Sequence, residues 1–215
     1  NELISPVKYV QREGDANYYP RFNTSGNSMG FISSADETYL SRTSLFVKDS
    51  TDEAEALLPT AEGFDWSPEE GYLVYARKDF HNGGIPNPRI EHHVDQKHFT
   101  HLKTHQEATC ERCQFLLSGS KYSDLFIVHR DSLKDEIQLT HGERVKNPAW
   151  APDGKSIAFV NLRDGTNNLC LAYPAYPDSI TQLTFLAPGT QVYVPRWSPD
   201  SKQIIFDYTA GSNRD

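Results

Sequence analysis

The chain has 215 residues, of which 37% are hydrophobic, 23% charged and 12% aromatic, and its formal net charge is -8. That length supports one sizeable core, and the acidic balance lacks the basic stripe a nucleic-acid surface needs, so no nucleic-acid partner is expected. No run approaches the roughly 18 apolar residues that span a bilayer, so no membrane span is expected either.

The chain begins at Asn1 rather than Met and reads as a processed or excised product. Leu3 to Val10 reads as a strand, an outer one donated to a last repeat unit. A recurring phrase then starts: Pro, any residue, an aromatic, Ser-Pro-acid and an apolar run. Its faintest copy begins at Pro20-Arg21-Phe22 and reaches Met29-Gly30-Phe31-Ile32, followed by strand-like Ser44 to Lys48 and Glu55 to Leu58. A worn copy runs Phe64-Asp65-Trp66-Ser67-Pro68-Glu69 and on through Tyr72-Leu73-Val74-Tyr75.

The pattern stops after Arg77 and resumes at Ser123 to His129, with Glu136 to Thr140 as the next strand. The clearest copies come last. They are Pro148-Ala149-Trp150-Ala151-Pro152-Asp153-Gly154 and Pro195-Arg196-Trp197-Ser198-Pro199-Asp200-Ser201. In the first, proline presets one dihedral, Asp bonds its own backbone, and Gly supplies positive φ, which makes a tight turn. Apolar runs follow, Ile157 to Val160 and Ile204 to Phe206, and read as buried strands. After Val160 comes a turn over Asn161 to Asn167, a third strand at Asn168 to Tyr173 and an outer strand at Ile180 to Phe185.

Four antiparallel strands per repeat of about 45 residues make one propeller blade. The fold class is therefore all-β: a propeller over 1–215 with about four blades represented, the last incomplete. The interval from Trp66 to Trp150 is nearly twice the period. The second blade is read as carrying an insertion of about 40 residues between its second and third strands, the alternative being a whole degenerate blade there. The blade count predicts a longer parent chain.

The inserted segment, 80–113, holds His92, His93, His98, His101, His105, Cys110 and Cys113. From Asp95, a good N-cap, to about Ala108 there is neither Gly nor Pro, and a partly helical segment is predicted. A helical step of roughly 100° would gather His98, His101 and His105 within an arc of about 60°. His101 and His105 with Cys110 and Cys113 read His-x3-His-x4-Cys-x2-Cys, a donor set suited to tetrahedral zinc, with His98 as an alternative ligand. Such a segment, poor in apolar residues, would gain its folding energy from the metal. Three other readings stay open: haem contact, a Cys110–Cys113 disulfide, and a polar insertion without ligand. Covalent haem attachment is disfavoured because Gln114, not His, follows Cys113.

Elsewhere the chemistry fades into the scaffold. There is no Gly-x-Ser-x-Gly elbow. His81-Asn82-Gly83-Gly84-Ile85-Pro86 reads as a turn opening the insertion. Asp153, Asp200 and the three tryptophans recur at fixed repeat positions and read as structural. Cys170 reads as a core residue, and His129 and His141 are given no role.

The Trp-Ser-Pro-Asp phrases and the Arg163-Asp164-Gly165 turn resemble the TolB-like family of β-propeller repeats, related to the propellers of prolyl-oligopeptidase-type enzymes. The resemblance covers nearly the whole chain apart from the insertion. It implies a periplasmic or extracellular location and brings no catalytic residue. Two functions follow. The first is a non-catalytic module whose partner is a protein or other domains of the parent chain. The second is the propeller portion of a larger metallo-, haem- or peptidase enzyme whose catalytic part lies outside these residues.

Overall fold

In the computed structural model of the chain, the described residues are 17–33, 43–49, 54–59, 61–78, 123–163 and 165–210. Every regular element among them is a strand. The first blade is β1 (Asn17–Phe22), β2 (Ser28–Ser33), β3 (Ser44–Asp49) and β4 (Glu55–Pro59). The second is β5 (Ala61–Trp66), β6 (Tyr72–Lys78), β7 (Ser123–His129) and β8 (Ser132–Gln138). The third is β9 (Val145–Trp150), β10 (Ile157–Arg163), β11 (Thr166–Tyr173) and β12 (Tyr176–Gln182). The fourth has β13 (Gln191–Trp197) and β14 (Ile204–Thr209). Strands follow chain order within each sheet, and all neighbours are antiparallel. The first strands of adjacent blades touch one another, as strands nearest a propeller axis do.

The repeated phrase now has a physical reading. Its proline sits at a β-bulge. Tyr19, Asn147 and Val194, each just before that proline, have φ of 54°, 48° and 46°. Pairing shifts between Tyr18 and Arg21, and again between Tyr193 and Arg196. Proline cannot donate to a strand ladder, and a bulge is where a strand tolerates it. The acid of the phrase closes the turn: Asp153 accepts the Lys155 N–H at 3.0 Å and Asp200 that of Lys202 at 3.2 Å. Ser201 holds the place that Gly154 holds one blade earlier, at φ 58°. Its hydroxyl accepts the Asp153 N–H from the neighbouring blade at 3.0 Å.

The aromatic starts a packing stripe. Trp66 pairs with Leu73, Trp150 with Ile157 and Trp197 with Ile204, while Phe22 pairs with Met29 in the first blade. Trp66, Leu73 and Tyr75 pack back against Ile32, Leu45 and Val47 of the first blade. Trp150, Ile157 and Phe159 pack back against Val74, Ala76 and Leu125 of the second. Trp197, Ile204 and Phe206 pack against Ala149, Ala158 and Leu169 of the third. The core is thus laid down between blades, one apolar layer per junction. Cys170 is free and buried in the second of these layers, where burial pushes its thiol up to about 11.

Three strand boundaries differ from the sequence expectation. The outer strand of the third blade is Tyr176–Gln182 rather than Ile180 to Phe185, and that of the second is Ser132–Gln138 rather than Glu136 to Thr140. Each begins directly after a short turn: Tyr173 pairs with Tyr176, and His129 with Ser132. The turn after β10 is also tighter than Asn161 to Asn167, because Arg163 pairs with Thr166.

β6 and β7 pair in register to their ends, with Lys78 opposite Ser123. Residues 79–122 join these two paired ends. The second blade is therefore complete without them. The predicted helix of the inserted segment, its histidines and cysteines, and the strand at Leu3 to Val10 all lie outside the described residues. Among the described residues no helix is long and apolar enough to cross a membrane.

Candidate functional site

Turns from the first two blades converge on one face. They are the β1–β2 turn, the β5–β6 turn and the two-residue turn between β7 and β8, with Asp49 at the end of β3. Antiparallel strands alternate their ends, so this face lies opposite the one where β6 ends and β7 begins. A cleft of about 560 Å³ opens between the blades there. It is lined by Asn23, Asn27, Ser28, Asp49, Trp66, Glu70, Gly71, His129, Arg130 and Asp131.

Arg130 forms its floor and ties the two blades together. Its Nη1 and Nη2 donate to Asp49 Oδ1 and Oδ2 at 3.1 and 2.8 Å, and Nη1 also donates to Ser28 Oγ at 2.9 Å. Ser28 Oγ in turn donates to Asp49. The Arg130 hydrogen bond, then that of Ser28, holds the Asp49 carboxyl below its ordinary value. The wall beside it depends on Gly71. At φ 86°, a Cβ there would stand 2.4 Å from His129 Nε2. His129 also meets the Tyr72 ring edge-on at 4.8 Å and accepts the Asp131 N–H on Nδ1 at 3.2 Å. The opposite wall is a self-bonded polar turn, in which Asn23 Nδ2 donates to Asn27 Oδ1 at 2.7 Å and Asn23 Oδ1 accepts the Ser28 N–H at 3.1 Å.

Two other charged groups are built into the blades. Asp65, half-buried on β5, accepts the backbone N–H of Trp150 in the next blade at 2.9 Å. Burial pushes its carboxyl up to about 6, while the Trp150 hydrogen bond acts in the other direction. Arg77 and Glu136 form an ion pair at 2.6 Å, their side chains 8% and 14% exposed. The Arg77 guanidinium lies 4.2 Å from the Phe126 ring centre. Burial pushes the Glu136 carboxyl up, and the guanidinium against it opposes that shift. Both are accounted for by packing and pairing within the scaffold.

The proposed metal ligands His98, His101, His105, Cys110 and Cys113 lie outside the described residues. Among the described residues, no group of three or more His, Cys, Asp or Glu stands ready to hold a metal ion. Asp153 and Asp200 act as turn acceptors, in keeping with their repeated position. Sequence reasoning missed the cleft and gave His129 no role. The one signal for it was the first blade's turn, where Asn23-Thr24-Ser25-Gly26-Asn27 replaces the Ser-Pro-acid phrase.

No family model matches the chain, and no curated protein matches it. Solved structures do. A putative TolB from Agrobacterium tumefaciens aligns at TM-score 0.60 with 16% identity, over 90% of this chain and 55% of that one. TolB from Acinetobacter baumannii aligns at 0.60 with 14% identity, over 93% of this chain and 39% of that one. A prolyl endopeptidase aligns at 0.52 with 12% identity, over 93% of this chain and 25% of that one. The chain thus spans about half the length of the first TolB and less of the others. At these identities the likeness is one of architecture, and the architecture is the TolB-like β-propeller.

Proposed function

We propose that the chain is a non-catalytic propeller module for protein–protein interaction, with an insertion at 80–113 held together by zinc. The observation that carries this reading is the unbroken pairing of β6 with β7 up to Lys78 and Ser123. A blade whose strands pair to their ends on either side of the insert does not need the insert for its own closure. Propeller faces are where loops meet partners. His101, His105, Cys110 and Cys113 supply two imidazole nitrogens and two thiolates, the chemistry of a closed tetrahedral zinc site, with His98 as the alternative ligand. Zinc there would order the segment and take no part in a reaction. The partner is a protein or other domains of the parent chain, and the net charge of -8 speaks against nucleic acid. A periplasmic or extracellular setting goes with this reading.

A second reading draws on the prolyl endopeptidase likeness. In it these blades are the propeller portion of a larger periplasmic metallo- or haem-enzyme, or of a prolyl-oligopeptidase-type peptidase. Crosslinking with mass spectrometry in extracts of the source cells separates the two. The module reading expects one protein crosslinked reproducibly to Lys97 and Lys103 of the insertion, and lost when Cys110 and Cys113 are changed to Ser. The enzyme reading expects crosslinks to a catalytic domain, and a Soret band in the haem case.

A further inference from the structure

We infer that the cleft between the first two blades receives a basic side chain of a protein partner, an arginine above all. This rests on the interaction-module reading and gives it a second site, on the face opposite the insertion, with a partner chemistry. Three carboxylates line the cleft (Asp49, Glu70 and Asp131) against a single guanidinium, Arg130. That guanidinium already donates from Nη1 and Nη2 to Asp49 and Ser28 in the floor. The other two carboxylates keep acceptor capacity. Glu70 takes only a long contact from the Ser25 hydroxyl at 3.4 Å. The Asp131 side chain is 77% exposed and stands 3.6 Å from Arg130 Nε.

The lining selects among ligand classes. An anion meets three carboxylates against one guanidinium that already serves Asp49 and stands beside Asp131. A bare metal ion lacks its ligand set, since no group of three or more suitable side chains is gathered among the described residues. A neutral ligand leaves the excess of three carboxylates over one guanidinium unbalanced. A guanidinium satisfies Glu70 and Asp131 together, because its five N–H donors lie in a plane and can bridge two carboxylates. The volume of about 560 Å³ lies inside the roughly 300–1,000 Å³ range of ligand pockets, enough for a side chain with adjoining backbone. The first blade's polar turn meets its neighbour only through long hydroxyl contacts, Thr24 to the Ser67 carbonyl and Ser25 to Glu70, each at 3.4 Å. At the junction of the third and fourth blades, Ser201 and Asp153 bond directly at 3.0 Å.

The test uses the intact chain and two blocked peptides, acetyl-Gly-Gly-Arg-Gly-Gly-amide and its citrulline twin. Trp66 lines the cleft, so tryptophan fluorescence reports binding at low salt. The arginine peptide is expected to saturate, and the citrulline twin to bind at least about tenfold more weakly, the worth of a charge-assisted hydrogen bond. Glu70→Gln and Asp131→Asn each weaken the arginine peptide by about threefold to tenfold, and Glu55→Gln on β4 leaves it unchanged. Absence of saturable binding, equal binding of the citrulline twin, or an equal effect of Glu55→Gln overturns the inference. The same titration on the Cys110→Ser, Cys113→Ser chain is expected to be unchanged. If the peptide fails while insertion-dependent crosslinks to a partner persist, the cleft inference falls and the module reading stands. If the peptide binds and those crosslinks are absent, the reverse holds.

Discussion

Trp197 in the fourth blade donates its indole N–H to the carbonyl of Ala149 in the third, at 3.0 Å. Trp66 makes the same bond back to Arg21 in the first blade, also at 3.0 Å. Both acceptors stand one residue before the aromatic of the preceding blade. Trp150 departs from this scheme. Its indole bonds Gly154 in its own blade at 3.3 Å, and Asp65 accepts its backbone N–H instead. Each junction thus has an apolar layer, and the tryptophan of the later blade of each makes a polar bond back to the earlier blade (to a carboxylate at the second junction).

The tryptophan bond predicts a graded response at Trp66. Trp66→Phe keeps most of the apolar layer and loses the hydrogen bond, costing about 1 kcal/mol with the Arg21 carbonyl left unpaired. Trp66→Ala also opens a cavity and costs about 3–5 kcal/mol. Urea unfolding at neutral pH checks both, and equal costs would show that the bond, not the layer, holds the first two blades together.

Asp65 predicts a pH dependence. Its folded-state value of about 6 lies above the ordinary 3.8, so the folded protein binds the proton more tightly than the unfolded chain. The stability it contributes is full below about pH 3.8 and is lost as pH rises through about 6. Asp65→Asn keeps an acceptor for the Trp150 N–H and removes the charge. It is expected to flatten the fall in stability between about pH 4 and 6 and to stabilise the protein at pH 7 by about 1–3 kcal/mol. Chemical denaturation across that pH series measures it.

Val194 occupies the bulge position at φ 46°, where a β-branched residue is strained. Asn147 fills the same place one blade earlier at φ 48°. Val194→Asn is therefore expected to raise stability by about 1 kcal/mol, read as a higher melting temperature. A drop of similar size would mean that the half-buried valine packs to more effect than its backbone is strained.

The blades were legible in the sequence because each is pinned by residues with local mechanisms: a bulge proline, a turn acid, a left-handed Gly, an aromatic opening the buried stripe. Phe22, Trp66, Trp150 and Trp197 mark the four blades. The outer strands were less legible because they are half in water. Ser132–Gln138 mixes Leu133 and Ile137 with Lys134, Asp135 and Glu136, so apolar content alone marks only its second half. The cleft was not legible at all. Arg130 and Asp49 stand 81 positions apart in the chain, and neither belongs to the repeated phrase.

Gly71 is expected to be the least replaceable residue of the cleft. Gly71→Ala forces a positive φ on a side chain and brings Cβ to 2.4 Å from His129 Nε2, which costs about 1–3 kcal/mol. Adding His129→Ala removes the clash and is expected to restore part of that loss. Strict additivity of the two changes in urea unfolding would show that the ring gives way freely.

The central proposal is that the blades fold without the residues between β6 and β7, and that zinc holds the 80–113 insertion. Metal content by mass spectrometry, run on protein refolded with a small excess of zinc and then desalted, tests it most directly. The account predicts one zinc per chain, lost in the Cys110→Ser, Cys113→Ser protein, whose far-ultraviolet β signal and urea midpoint stay unchanged. Metal-free wild-type protein, or collapse of the blades in the double variant, would contradict it.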